Sequence, residues 1–431
     1  MKSRDKIILD RIIGRPLAFL LNSIVCPLGK ILKIDHDDSP NKVKTIAIAK
    51  LLGMGSILRA TPMVRALRQK YPSAKYILIT TLKNKPLVER ISLFDNYLYI
   101  RDSSFFNILF DTVRLIIKLW KLKIDLYFDL EVYSAFSTIL TTLSLARNRY
   151  GFYKESTRFR IGLNTHLVWF NDYQHISRIY LQLARVCGID DKDIGYKIEK
   201  IKLQEQDKQE VKNWLISNGV QDANVYIVVN PNASDLLLER RWPMDYFVLL
   251  INALAKDWQN PIFIIGSPEE YSYTNALYGK LSDQAKKITF NSAGKFSFEA
   301  VMELISNAKL MVTNDSGLYH IAVGLDINVV SLWGPGNPLH YADFASDRNI
   351  IFHSREVYCS PCIYRTDFPP CRGNNICMKS ISPKEVYKKI CEILSIKPTA
   401  DISTMDYFYE KEKHAISDIS HRNLLPEQSR I

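Results

Sequence analysis

Short apolar runs rich in β-branched residues alternate along this chain with longer stretches whose apolar positions recur every three or four residues. Residues 43–49, 76–81, 97–100 and 124–130 are runs of the first kind, and residues 149–152 form a shorter one. Between them, residues 57–70, 85–91, 105–121 and 134–146 carry helical spacing. A short continuous apolar run reads as a strand covered on both faces, and strands separated by helices read as a parallel sheet. A polar stretch at 190–224, with a Gln-rich helical pattern over 203–217, interrupts the rhythm. The pattern then restarts, with strands at 225–229, 261–266, 287–291, 310–313 and 328–333. Helices at 243–257, 271–280, 297–307 and 318–325 lie between them. The chain therefore reads as α/β, with two doubly wound halves at 41–205 and 206–398. A segment at 1–40 precedes them and a polar tail at 399–431 follows, either mobile or packed back on the first half.

The first 33 residues have a different character. Lys2, Arg4, Lys6, Arg11, Arg15, Lys30 and Lys33 surround Ile7, Ile8, Ile12, Ile13, Leu17, Phe19, Leu20 and Leu21. No run there reaches the roughly 18–20 apolar residues that span a bilayer. A basic, amphipathic segment of this kind lies in the head-group layer of an anionic membrane or packs on its own protein. Charge supports anionic partners: Lys plus Arg is 57 and Asp plus Glu 45, a formal net charge of +12. No dense basic block or aromatic stacking platform accompanies that charge, which argues against nucleic acid. An apolar content of 47% excludes a disordered chain. The N-terminus lacks the pattern of a cleaved signal peptide, and the seven Cys are an odd number. The expected compartment is therefore reducing and cytoplasmic.

Four motifs carry candidate chemistry. Gly53-Met54-Gly55-Ser56 stands where the first strand gives way to its helix, where glycines let a ligand approach the backbone. Leu58 occupies the third position of a dinucleotide fingerprint, so that fingerprint is incomplete. Asn230-Pro231-Asn232-Ala233-Ser234 ends a later strand, and Arg240-Arg241-Trp242-Pro243 follows. Arg forks suit phosphate oxygens, whereas Trp242 reads as core. Asp315-Ser316-Gly317-Leu318-Tyr319-His320 is the most informative. Asp315 closes a strand as a helix N-cap, and the amides behind it offer an anion site at the carboxyl edge of the sheet. Cys359, Cys362, Cys371 and Cys377 supply either four tetrahedral zinc ligands for a structural site or reduced, partly buried thiols.

In order and spacing these motifs resemble glycosyltransferase family 9, the bacterial lipopolysaccharide heptosyltransferases. The likeness runs over about 43–394. It rests on Lys50, Ser56, Thr61-Pro62 and Arg65-Ala66-Leu67, then on Arg240-Arg241-Trp242-Pro243. Asp315-Ser316-Gly317 with His320 and Ala322, Trp333-Gly334-Pro335, and the Cys-x2-Cys ending in Cys377-Met378 complete it. The resemblance implies the GT-B architecture, two Rossmann-like domains facing across a cleft. It implies inverting transfer from a nucleotide sugar such as ADP-heptose to a lipid-linked glycan, with no metal required, by a peripheral enzyme at the inner face of the cytoplasmic membrane. Carried over, Ser234, Arg240, Asp315, Ser316, Gly317 and His320 hold the donor, Glu270 lies near its ribose, and Gly53 and Gly55 form the acceptor-side loop. The family usually has Gly-Asp where this chain has Gly55-Ser56, and that Asp is a proposed base. Serine does not serve as a base at neutral pH without activation. Glu131, at the carboxyl end of the 124–130 strand, is the candidate replacement, with Asp129 second. The alternatives are a transferase or epimerase for another nucleotide sugar, and a non-catalytic membrane-surface protein that kept the fold.

Overall fold

The computed structural model describes residues 3–190, 195–220, 225–233, 237–354, 356–357, 359–363, 369–403, 405–406 and 409. The chain divides into two compact units, Met1–Lys202 and Leu203–Ile431. The division falls three residues before the boundary expected from the polar stretch.

In the first unit α1 (Ser3–Leu9), a π-helical turn (Asp10–Gly14) and α2 (Arg15–Leu32) lead to β1 (Thr45–Ala49). There follow α3 (Met54–Lys70), β2 (Lys75–Thr81), α4 (Lys85–Val88), β3 (Asn96–Ile100), α5 (Phe105–Leu122), β4 (Leu126–Asp129) and α6 (Ala135–Leu143). β5 (Asn148–Tyr153), β6 (His166–Trp169) and α7 (Ile176–Val186) complete it. The sheet is parallel, in the order β3-β2-β1-β4-β5-β6. Right-handed crossovers then place α3 and α4 on one face and α5 and α6 on the other. Ala47, Ala49, Ile77, Ile79, Leu98 and Tyr127 meet Leu115, Leu119 and Leu140 on the second face. β6 escaped the sequence pattern because it is an edge strand, only partly covered.

The N-terminal helices belong to this unit rather than standing apart. Ala18 is fully buried among Ala135, Phe159 and Leu163. The Asp10 carboxylate accepts the amides of Ala135 and Phe136 at 2.9 and 2.6 Å, which places a negative charge at the start of α6. Asn22 donates to the Ile161 carbonyl, and Lys6 pairs with Asp102. The continuous helix Asp5–Leu32 has 28 residues and is long and apolar enough to cross a membrane by length and composition. That corrects the expectation from apolar runs, because polar residues such as Asn22 and Ser23 interrupt the run without ending the helix.

In the second unit α8 (Glu205–Ser217) precedes β7 (Ile227–Asn230), α9 (Met244–Asp257), β8 (Ile262–Ile264), α10 (Tyr271–Gly279), α11 (Asp283–Lys286) and β9 (Thr289–Asn291). Next come α12 (Phe298–Ser306), β10 (Leu310–Asn314), α13 (Gly317–Gly324), β11 (Val329–Trp333), α14 (Pro338–Tyr341) and β12 (Asn349–His353). α15 (Ile376–Lys379) and α16 (Pro383–Leu394) follow. The sheet order β12-β11-β10-β7-β8-β9 repeats that of the first unit. The described part of the tail packs on this unit, not on the first. Thr399 and Ala400 donate backbone amides to Asp257, Lys384 pairs with Asp406 at 2.6 Å, and Met405 is buried.

One buried charge pair fastens the first unit. Asp129 ends β4 and lies 3.2 Å from Arg160, and both side chains are fully buried. Ser137 donates to the same carboxylate at 2.5 Å. Burial pushes the Asp129 carboxyl above its ordinary range, and Arg160 pulls it back. Removing one partner of such a pair costs about 3–5 kcal/mol. Arg160→Met is therefore expected to lower the stability of the first unit by about that amount in denaturant unfolding. With Arg160 gone, the raised pKa of Asp129 makes stability fall as pH rises through it. The deficit should be smaller near pH 4 than at pH 7, and a deficit that grows on acidification contradicts this account.

Candidate active site

In each unit the strand order reverses at one point, between β1 and β4 and between β7 and β10. Loops leaving the carboxyl ends of such neighbouring strands diverge and leave a crevice. In the second unit Thr313 pairs with Asn230 across that point.

Three buried asparagines tie these loops together. Asn230 Nδ2 donates to Thr313 Oγ1 at 3.0 Å and to Ser316 Oγ at 3.1 Å. Asn314 Nδ2 donates to the carbonyls of Pro231 and Asn232 at 3.0 and 3.2 Å, and its Oδ1 accepts the Trp242 amide at 3.1 Å. Asn232 Nδ2 donates to the Ile265 carbonyl at 2.9 Å. Trp242 is core, as expected: it is fully buried, packs edge-on against Phe247, and its indole N–H donates to the Ile381 carbonyl at 3.1 Å. The two arginines before it are thus carried on an anchored chain. The guanidinium of Arg240 lies 3.7 Å from the Asp315 carboxylate. That of Arg241 lies 3.9 Å from Glu270 and 4.2 Å from the centre of the Tyr273 ring.

Asp315 does not take the N-cap position expected of it. Ser316 stands there in extended conformation, and its hydroxyl turns to Asn230 and Thr313 instead of to the helix amides. The first turn of α13 thus has no side-chain cap, and a Cβ on Gly317 would meet nothing within 4 Å. Open space in front of uncapped amides is the physical requirement for an anion at a helix start. Burial raises the Asp315 carboxyl above its ordinary range, with Arg240 opposing. A Cβ on Gly336 would fall 2.1 Å from Asp315 Oδ2, so only glycine leaves that carboxylate its place. His320 is buried in the first turn of α13, edge-on to the Tyr319 ring at 5.0 Å. Glu270 accepts the Ser267 amide at 2.9 Å and closes the turn after β8, so it sits with Arg241, not with Arg240. Burial raises its carboxyl too. Ser234 lies outside the described residues.

In the first unit α3 begins at Met54, so Gly55 and Ser56 lie in its first turn, not ahead of it. Gly53 makes the entry with φ 85°, a conformation that favours glycine. Glu131 stands at the carboxyl edge, as expected, where it holds the loop after β1. Its Oε1 accepts the amides of Leu51 and Leu52 at 2.8 and 2.9 Å and lies 2.9 Å from Lys50 Nζ. Thr80 Oγ1 donates to the Lys50 carbonyl at 2.6 Å, and Thr81 and Asn84 donate to that of Leu51 at 3.0 and 3.2 Å. Asp129, the second candidate, is occupied by Arg160.

The cysteine segment supports the donor-side loop. Cys362 donates its amide to the Pro335 carbonyl at 3.1 Å, and Ser360 Oγ donates to Gly334 at 2.7 Å. Burial pushes the Cys362 thiol up to about 11 and also raises Cys359 and Cys377, each further raised by neighbouring cysteines, Cys371 included. Among the described residues no group of three or more His, Cys, Asp or Glu is arranged to hold a metal ion.

Comparison with known proteins points to one family. The model of glycosyltransferase family 9 (heptosyltransferase) matches residues 114–371. The lipopolysaccharide heptosyltransferase 2 of Salmonella typhimurium is 32% identical over 99 residues, 23% of this chain and 28% of the relative. The lipooligosaccharide heptosyltransferase 2 of Campylobacter jejuni is 27% identical over 162 residues, 38% of this chain and 49% of the relative. These matches span between about a quarter and a half of the relatives' length. The lipopolysaccharide heptosyltransferase 1 of Campylobacter coli is 22% identical over 370 residues, 81% of this chain and 98% of the relative. Among solved structures, a family 9 glycosyl transferase from Veillonella parvula aligns with TM-score 0.68 at 19% identity, covering 81% of this chain and 97% of that one. The ADP-heptose lipopolysaccharide heptosyltransferase II of Escherichia coli aligns with TM-score 0.65 at 19% identity, covering 82% and 98%. The chain, α/β with two parallel six-stranded sheets and GT-B structural neighbours, belongs to glycosyltransferase family 9, the heptosyltransferase family.

Proposed function

We propose that this protein is an inverting glycosyltransferase that moves a sugar, heptose foremost, from a nucleotide donor such as ADP-heptose to a lipopolysaccharide or other surface-glycan acceptor. The acceptor is lipid-linked and is met at the inner face of the cytoplasmic membrane. The observation that carries this reading is the pairing of Arg240 with Asp315 beside the uncapped start of α13. A nucleoside diphosphate leaves with growing negative charge. Arg240 and the amides at Gly317 and Leu318 supply fixed positive charge there, which supports transfer without a metal. The cysteines act in this reading as reduced thiols bracing Gly334–Gly336. Their mutual proximity keeps a structural zinc as the second reading, and metal content of the purified protein decides between them.

We infer for Glu131 a positioning role at the first glycine turn, in place of the expected role of base. Its Oε1 is engaged by three donors, which leaves that oxygen little capacity to take a proton from an acceptor hydroxyl. A non-catalytic binding protein is the competing reading, favoured by Ser56 standing in the place of the usual Asp.

Three outcomes test these assignments. A thermal-shift screen should single out ADP or ADP-heptose among nucleotides, with a stabilisation of about 2.7 kcal/mol at a hundredfold excess over Kd. The response should vanish in Asp315→Ala; a preference for UDP, GDP or CMP replaces the donor, and donor binding without turnover over many acceptors favours the binding protein. Gly336→Ala should stay folded and bind ADP at least about tenfold more weakly, because the new methyl displaces Asp315. In Glu131→Gln the amide oxygen still accepts from Leu51 and Leu52, so most turnover should remain. A fall of about a hundredfold or more in kcat at unchanged KM would instead mark Glu131 as the base.

A further inference from the structure

α5 is apolar on both sides. Leu115 and Leu119 are buried against the sheet. On the opposite side Phe106, Leu109, Phe110, Val113, Ile117 and Trp120 form one exposed stripe, with Phe106 78% exposed. Each lies three or four residues from another of them, the spacing of one helix face. A helix that is apolar all round is normally buried, and an exposed apolar patch of this kind marks an interaction surface.

The charges say what kind of partner fits. Arg114, Lys118 and Lys121 run along one flank of the stripe, and the guanidinium of Arg114 lies 4.0 Å from the centre of the Phe110 ring. The one acid of the helix, Asp111, is turned inward to Arg101 in a two-pronged pair at 2.9 and 2.7 Å. Basic stems beside Phe, Leu and Trp suit a surface that is apolar below and anionic above: the stems lie along the apolar layer and the charged heads reach the phosphates.

The stripe also continues a second one. Lys6 of α1 pairs with Asp102, two residues before the Ser104 N-cap of α5, so the two helices start side by side. α6 touches both α2 and α5. On α1 and α2 the outward residues are again apolar, with Ile12, Leu20 and Ile31 more than half exposed.

We propose that the outward face of α5, joined to that of α1 and α2, is a docking surface for an anionic phospholipid bilayer. The inference deepens the reading of a membrane-bound acceptor and rests on it for its purpose, but not for its test, which uses neither donor nor acceptor.

The experiment is flotation with phosphatidylcholine vesicles, with and without about 30% phosphatidylglycerol. Wild type should bind the anionic vesicles more tightly and lose binding with added salt. Phe106→Ser with Phe110→Ser, and separately Lys118→Glu with Lys121→Glu, should each weaken binding at least about tenfold at unchanged Tm. Leu20→Ser with Ile24→Ser is the matching change on α2. Wild-type binding by both α5 variants overturns the inference; if the α2 variant alone loses binding, the N-terminal membrane reading survives without α5. Vesicle binding that none of the changes affects overturns both. Quenching by brominated lipid should diminish in Trp120→Phe, and unchanged quenching also counts against α5. A self-associating chain whose α5 variants become monomeric, with no lipid binding in wild type, would assign the face to a second copy and overturn the proposal.

Discussion

The side chain of Asn314 satisfies three backbone groups at once, the carbonyls of Pro231 and Asn232 and the amide of Trp242. Two strand ends at a reversal point must diverge, and their loops carry backbone groups that the sheet no longer pairs. An amide side chain offers both donors and an acceptor, so one buried residue closes loops from β7 and β10 and the chain leading into α9. Everything chemical in the second unit hangs from that junction. Trp242 is fixed in the core, which fixes Arg240 and Arg241 just before it. Asn230 holds Ser316 away from the helix start, which leaves the amides of α13 for an anion. Glycine at 336 gives Asp315 room to face Arg240.

The first unit solves the same problem with a charge. The loop after β1 is strapped by Glu131, Lys50 and the hydroxyls of Thr80 and Thr81. A carboxylate held by two amides and an ammonium is a firm anchor in a water-poor edge. Behind it, Asp129 and Arg160 form a fully buried pair that links β4 to the turn after β5. The glycine turn that follows the first strand is therefore rigid on its strand side, while its helix side opens at Gly53.

Much of this was legible in the sequence. Both halves, their central strands and the helices between them follow from apolar runs, since a strand covered on both faces has no reason to alternate. The edge strands β6 and β12 were not legible, because partial cover dilutes the same signal. Arg forks and a strand-to-helix turn single out Arg240, Asp315 and Gly317, which the fold brings to one sheet edge. The asparagine network is not legible in sequence, because its partners are 33 to 86 residues apart. Position alone made Asp315 an N-cap; a guanidinium from a distant loop drew its carboxylate elsewhere. Likewise Glu131 stood at the expected edge, but only the fold shows that amides of the neighbouring loop occupy it. The apolar spacing of α5 predicts a helix, but spacing alone does not distinguish its inward face from its outward one.

The central claim is that the carboxyl edge of the second sheet is a diphosphate site built around Arg240 and the start of α13. Calorimetric titration of ADP into wild type and Arg240→Ala measures this most directly. The account predicts one site per chain, with affinity lowered at least about tenfold in the variant while Tm without ligand stays put. Equal affinities for the two proteins would contradict it.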